Sequence, residues 1–201
     1  KVFFTGSATS EATLTATDLI TPALIQKAHT WAKTGGGFGT NGRRAMHPLR
    51  EIRIGGRAYV VLLVHPDVGY DLKNDATYAQ AHREADVRGE KNAIFTGALG
   101  VWDNVIVYEH ERVTTKTTGG SGGNIAFARN FILGAQALCF AIGEDPNFVE
   151  KEFDYDEEYG VAWRMTGKID KVTFDVDDDS TAEDYGVIGL TSARTNISTG
   201  S

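Results

Sequence analysis

NAIFTGALGVWDNVIVYEH, residues 92–110, decides how the rest of the chain is read. An apolar, turn-rich approach at IFTGALG leads to a tight turn at Asp103-Asn104 and then into the strand VIVYEH. Val105, Ile106 and Val107 are β-branched and suit a pleated surface. GALG is expected to be a backbone bend that needs glycine for close approach or for positive φ. Nothing in the stretch is chemically reactive, so its signals concern shape.

Upstream, TPALIQKAHTWAK (21–33) predicts a helix. Thr21 can cap it, Pro22 suits the first helical position, and Leu24, Ile25, Ala28, Trp31 and Ala32 fall on one face. Gly35 to Gly37 stop it. VFF (2–4) is a short strand, and GGGFGTNGRRAMHP (35–48) is a glycine-rich basic loop. REIRIGGRAYVVLLVHP predicts a hairpin turning at Gly55-Gly56. A short helix with Pro66 in its first turn follows, then DATYAQAHREADV (75–87), a helix with Asp75 as its cap.

Downstream, TTKTTGGSGGN (114–124) reads as a flexible loop. ARNFILGAQALCFAIG (128–143) reads as strand, short helix and strand, buried on most sides. EFDYDEEYGVAWRMTGKIDKVTFD contains a long alternating strand with Val161, Trp163 and Met165 on one face. DVDDDSTAED (175–184) is an acidic loop, and YGVIGL (185–190) a last strand. The mixture is α+β, without an internal repeat or an obvious linker.

The totals narrow the function. The chain has 201 residues, 41% hydrophobic and 23% charged, enough for one domain or two lobes sharing a core. Tyr59 to Val64, the longest apolar run, is strand-sized and far short of the roughly 18 residues of a membrane helix. The chain shows neither a secretory signal nor an initiator Met, and KVFFTGSATS reads as the middle of a longer polypeptide. Cys139, the single cysteine, lies in the apolar run LCFAI and is expected to be an inert core thiol in a reducing compartment. The net charge of −7 and scattered Lys and Arg argue against a nucleic-acid grip; only Arg43-Arg44 and Arg50/Arg53 lie close together. Acidic residues cluster at 144–158 and 175–184.

Candidate chemistry is thin. The chain has five histidines. His82-Arg83-Glu84 and Glu109-His110-Glu111 lack the i+4 partner of a zinc helix, and alternation points His110 away from both neighbouring glutamates. His47 and His65 precede proline and read as turn residues. GGSGGN and GGGFGTNG lack the strand, helix and Lys-Ser/Thr of a phosphate loop. DVDDDSTAED lacks the glycine and spaced Glu of a calcium loop. Cys139 has no neighbouring base, and Ser7, Ser121 and Ser192 sit in no nucleophile elbow. Trp102 and Trp163 are expected to be core or interface anchors. The expectation is therefore no catalytic, cofactor-binding or metal residue.

Several collinear blocks carry a resemblance: TPALIQKAHTWAKT, YVVLLVHPDVGYDLKND, KNAIFTGALGVWDNVIVYEHERV, RNFILGAQALCFAIG, EFDYDEEYGVAWRMTGKIDKVTFD and DYGVIGLTSA. Over most of residues 1–195 the chain resembles the major capsid proteins of tailed bacteriophages, most of all the coat-protein family typified by phage N-four. The resemblance implies the Hong Kong 97-type capsid fold. It implies an axial domain at 20–143, which contains GALGVWDNVIVYEH, and peripheral-domain segments at 1–19 and 144–201. The N-terminal arm, extended loop and spine helix of that fold have no counterpart in these residues, so a C-terminal portion is expected.

The implied function is structural. The chain would assemble with itself into pentamers and hexamers of an icosahedral head around double-stranded DNA, in the host bacterial cytoplasm. Scaffolding, portal and decoration proteins would be its other partners, and no membrane is involved. Loops 35–48 and 114–124 are candidate neighbour contacts. Two rival readings are a same-fold shell around an enzyme cargo in a host compartment, and a small metal-dependent hydrolase using His65, His82 or His110.

Overall fold

The computed structural model describes residues 2–36, 46–86, 98–153, 157–175 and 182–197. Its first helix, α1 (Pro22–Lys33), begins as the sequence predicts. The Thr21 hydroxyl accepts the Leu24 N–H at 3.3 Å, and Pro22, which lacks the N–H a helix start leaves unpaired, opens the first turn. Ile25, Ala28 and Ala32 are fully buried, with Leu24 and Trp31 packed against the same core.

Strands β2 (Ile52–Ile54) and β3 (Arg57–Val64) form the expected hairpin. Gly55 and Gly56 turn it with φ of 58° and 83°, a left-handed pair that glycine adopts without steric cost. Helices α2 (Pro66–Asn74) and α3 (Ala76–Asp86) follow. Asp75 caps α3 by accepting the Thr77 and Tyr78 N–H groups, each at 3.0 Å. Strands β4 (Ala98–Trp102) and β5 (Val105–Glu109) are joined by the predicted tight turn, with φ of 48° at Asp103 and 63° at Asn104. β3 and β5 run parallel, so the chain between them must cross over, and α2 and α3 lie on that path.

The remaining strands are β1 (Val2–Phe4), β6 (Thr115–Gly119), β7 (Ile125–Leu133), β8 (Leu138–Phe153), β9 (Glu158–Lys171), β10 (Thr173–Phe174), β11 (Glu183–Asp184) and β12 (Val187–Ala193). The main sheet has eight strands in the order β1-β12-β7-β3-β5-β4, with β2 on β3 and β6 on β7. Leu62 faces Ile132 on β7 and Val107 on β5, and Ile132 faces Ile188 on β12. Opposed residues share a face, so one apolar surface crosses four strands. Val68 and Leu72 of α2 and Ile25 and Ala28 of α1 belong to the same buried cluster.

Polar side chains are buried here too, Asn130 and Ser192 among them. Asn130 is fully buried, donates to the Ser192 hydroxyl at 3.0 Å, and accepts the His65 N–H at 3.3 Å. It ties β7 to β12 and to the start of α2, and its pairing offsets the cost of burying an amide.

Four sequence expectations are corrected. First, GALG is no bend where it is described: Ala98–Trp102 is strand, and Gly100 is extended at φ 159°, beside a register shift. The glycine marks a bulge in an edge strand. Residues 94–97 of IFTGALG lie outside the described residues. Second, the first half of 114–124 is strand β6, paired with β7, and only its glycine-rich end turns. Third, 128–143 holds two strands and no helix, because Gly134 to Ala137 is too short a link for one. Fourth, the second of those strands is exposed, and Cys139 with it, so the thiol is no core thiol.

Of the basic loop 35–48, residues 37–45 lie outside the described residues; Met46, just beyond, is fully buried. Of the acidic loop 175–184, residues 176–181 lie outside, and its ends flank the short β10–β11 pair. Among the described residues no helix is long and apolar enough to cross a membrane.

Candidate functional site

Leu138 to Phe153 and Glu158 to Lys171 pair antiparallel along nearly their whole length, as a two-stranded ribbon that joins no other sheet among the described residues. At about 3.3 Å per residue, a strand of 16 residues spans about 50 Å. A ribbon of two strands has no second layer against which to bury a face.

Its register decides what it presents. Phe140 opposes Ile169, Ile142 opposes Gly167, Phe148 opposes Trp163, and Glu150 opposes Val161. Two register shifts fall between these pairs, one at Ile142/Glu144 and one at Glu144/Asn147. A single extra residue would turn the strand's side chains to the opposite face; the second restores them. One face therefore carries Leu138, Phe140, Ile142, Phe148, Val161, Trp163, Met165 and Ile169, with Glu150 and Glu152 on its far part. The opposite face carries mostly polar groups, among them Asn147, Lys151, Arg164, Thr166, Lys168 and Asp170.

The apolar face is bare. Trp163 is 66% exposed, Ile169 67% and Phe148 58%, and their neighbours on this face are comparably open. Monomeric soluble proteins rarely show so large a contiguous apolar surface, and such surfaces mark association sites. Trp163 is therefore no core anchor of the described residues. Trp102 packs partly buried on the core.

The ribbon also concentrates charge. Residues 144–158 hold eight Asp and Glu against one Lys, a formal −7 equal to the net charge of the entire chain; the rest holds 19 of each sign. Near the ribbon's base, Arg164 pairs with Glu144 at 2.8 Å and Lys168 with Asp170 at 2.7 Å. The Asp170 carboxyl sits below its ordinary value, chiefly because it accepts a hydrogen bond from Lys168.

The histidines do not converge. His65 caps α2, its Nδ1 accepting the Asp67 N–H at 3.2 Å. His110 Nδ1 accepts the Arg112 N–H at 3.2 Å. His82 lies on α3, and its side chain is outside the described residues. His47 stands edge-on to Tyr185 at 5.2 Å. Among the described residues no three of His, Cys, Asp and Glu gather as a metal site would need. Ser192 is buried as the acceptor from Asn130, and Ser7 and Ser121 are exposed.

Sequence reading missed His29. It is 1% exposed, with Nδ1 3.3 Å from Asp103 and Nε2 3.5 Å from Glu51, whose carboxylate also meets Lys33 at 2.7 Å. The cluster pins α1 to the β4–β5 turn. Its partners are distant in sequence, so no local spacing could reveal it.

Comparisons with known proteins agree on one kind. The family model described as "Phage capsid protein" matches residues 1–195. The major capsid protein of Pseudomonas phage KPP25 is 30% identical over 198 residues, a match covering 94% of this chain and 49% of that protein. The capsid of Ralstonia phage GP4 superposes with a TM-score of 0.71 at 24% identity, covering 98% of this chain and 53% of the other. The cyanophage Pam1 capsid follows at 0.63 and 20%, covering 92% and 49%. These structural likenesses establish the fold, and the chain spans about half the length of the relatives it matches.

Proposed function

The chain belongs to the phage capsid protein family, and from that premise we propose that it forms part of a major capsid protein that builds an icosahedral phage head. Copies assemble into pentamers and hexamers around double-stranded DNA, and the role is structural rather than catalytic. The fold is of the Hong Kong 97 type, nearest to the phage N-four coat proteins. Residues 20–143 supply the axial domain, and 1–19 and 144–201 the peripheral segments, with β1 and β12 reaching back into the axial sheet. Assembly takes place in the host cytoplasm, with scaffolding, portal and decoration proteins as further partners.

The observation that carries this reading is the bare apolar face of the ribbon. The described residues leave Trp163, Val161, Ile169 and Phe148 open along one strip, and covering that strip is favourable. Covering the two-thirds of Trp163 left open removes about 100–165 Å² from water and contributes about 2.5–4 kcal/mol. Contacts of that size, repeated around closed rings and across a shell, add through multivalency. The even balance of charge outside residues 144–158 suits a wall that encloses DNA without gripping it.

Mass photometry and electron microscopy of the full-length gene product test the proposal. Closed shells, or rings of five and six, are expected. A monomer that persists at high concentration with scaffold supplied would overturn it.

A further inference from the structure

Between the β2–β3 hairpin and the root of the ribbon lies a groove of about 590 Å³, lined by Arg50, Glu51, Arg53, Ala58, Ala135 and Gln136. Arg53 opposes Ala58 across the hairpin, and opposed residues share a face, so both stand on the groove side. Arg53 is exposed, and its guanidinium has no partner among the described residues. Arg50 donates one N–H to the Gln136 Oε1 at 3.4 Å and has no acidic partner among the described residues. The Tyr185 hydroxyl meets that same oxygen at 3.5 Å. With Oε1 held from both sides, the Gln136 amide keeps its two N–H donors unspent. Glu51, the one acidic side chain of the lining, is already taken: Lys33 lies 2.7 Å from its Oε1 and His29 Nε2 lies 3.5 Å from it. What the lining leaves unspent is therefore mainly N–H donors.

Gln136 stands in this groove at φ 62°, in the left-handed region. The other non-glycine residues found there among the described ones, Asp103 and Asn104, make the tight β4–β5 turn. Gln136 instead lies in the link between β7 and β8, where glycine would adopt the same backbone without steric cost. A residue with a Cβ kept in that region is a mark of functional constraint.

Charge selects the ligand. Arg50 and Arg53 contribute two positive charges and Lys33 offsets Glu51, which leaves a formal +2. A carboxylate brings one negative charge and two oxygens. A phosphate group brings up to about −2 near neutral pH and three strong acceptor oxygens, which suits two guanidinium forks and an amide.

We propose that the groove between the β2–β3 hairpin and the ribbon root binds a phosphate group, with Arg50 and Arg53 meeting its oxygens and the Gln136 amide donating a further hydrogen bond. The site is separate from the apolar face of the ribbon and stands independently of the shell reading. A free phosphate ion and a nucleic-acid backbone present the same chemistry to it.

The test uses unassembled full-length subunits and an arginine-selective dicarbonyl reagent at constant ionic strength, with modification read residue by residue by mass spectrometry. Arg57 is the internal control: it opposes Ile54, one position along from the Arg53–Ala58 pair, so alternation puts it on the other face of the hairpin. Inorganic phosphate at about ten times its Kd is expected to slow modification of Arg53 by about tenfold and to leave Arg57 unchanged. Arg53 is exposed, so Arg53→Gln leaves the core intact; it is expected to weaken phosphate binding, read by calorimetric titration, by about tenfold or more. Gln136→Gly keeps the backbone conformation and removes the amide, and is expected to weaken binding by about two- to tenfold. A short DNA duplex at the same concentration of phosphate groups separates the sources. Protection by the duplex as well as by the ion assigns a backbone phosphate, and protection by the ion alone assigns a free anion; both support the site. Equal protection of Arg53 and Arg57 would reduce the effect to screening and overturn the inference. So would an unprotected Arg53, or unchanged phosphate affinity in either variant. An Arg53 that is unreactive before phosphate is added would mean that another part of the polypeptide fills the groove, and would overturn it equally.

Discussion

Gly134→Ala should disturb the root from which the ribbon is aimed. Gly134 is buried at the end of β7, and its N–H donates to the Gly186 carbonyl at 2.8 Å. A Cβ there would lie 2.5 Å from the Arg50 carbonyl oxygen and 2.8 Å from Leu49 Cγ. That oxygen is fixed by the Ala135 N–H at 2.7 Å, so retreat would cost a hydrogen bond. Overpacking of this kind costs about 1–3 kcal/mol, and the constrained carbonyl puts it in the upper half of that range. At about 2–4 °C per kcal/mol for a chain of this size, Tm should fall by about 5–10 °C. Gly143→Ala is the control within the ribbon, since the nearest atom to its added Cβ is 3.6 Å away. It should stay within about 0.5 kcal/mol of the parent. Scanning calorimetry of unassembled subunits reads both. A Gly134→Ala subunit that melts within 2 °C of the parent, or a Gly143→Ala subunit that loses as much as Gly134→Ala, would refute the argument (~2 °C being the effect of half a kcal/mol).

Three further outcomes are expected. Asp75→Ala removes the acceptor for two N–H groups at the start of α3 and should cost about 1 kcal/mol in urea unfolding, while Asp75→Asn should cost less; equal losses would mean the cap is not what Asp75 supplies. Burial, and then the charge of Glu109, push the Tyr78 phenol above its ordinary value of 10.0. The folded state therefore holds that proton longer than the unfolded chain, so the contribution is complete below pH 10.0 and is lost as pH rises through the folded value. Tyr78→Phe should flatten the decline of stability above that pH, and an unchanged slope would count against the assignment. Cys139 is exposed and should react with an aromatic disulfide reagent in the folded, unassembled subunit at the rate of a free thiol; a requirement for denaturant would contradict its placement.

Local signals were legible in the sequence. Thr21-Pro22, Gly55-Gly56, Asp75 and Asp103-Asn104 each act through their own backbone, and each turned or capped the chain where expected. Alternation also placed Val161, Trp163 and Met165 on one strand face. What alternation cannot encode is what covers that face. A strand buried on its own core and one left open read alike, which is why LCFAI looked like interior and Cys139 like a core thiol. TTKTTG gave no apolar signal because β6 lies at the sheet margin, held by β7 rather than by side-chain burial. The paired register shifts at Ile142/Glu144 and Glu144/Asn147 are backbone events between strands, and they decide that the apolar face is continuous. His29 meets Asp103 across 74 residues, a pairing that only the folded sheet creates.

The central claim is that the ribbon's apolar face is an assembly surface, and a side-chain-resolution cryo-electron microscopy map of the assembled particle tests it most directly. The account predicts density of a neighbouring subunit, and not of the same polypeptide alone, in van der Waals contact with Phe148, Val161, Trp163 and Ile169. A particle in which these side chains face open solvent, with the subunits joined elsewhere, would contradict it.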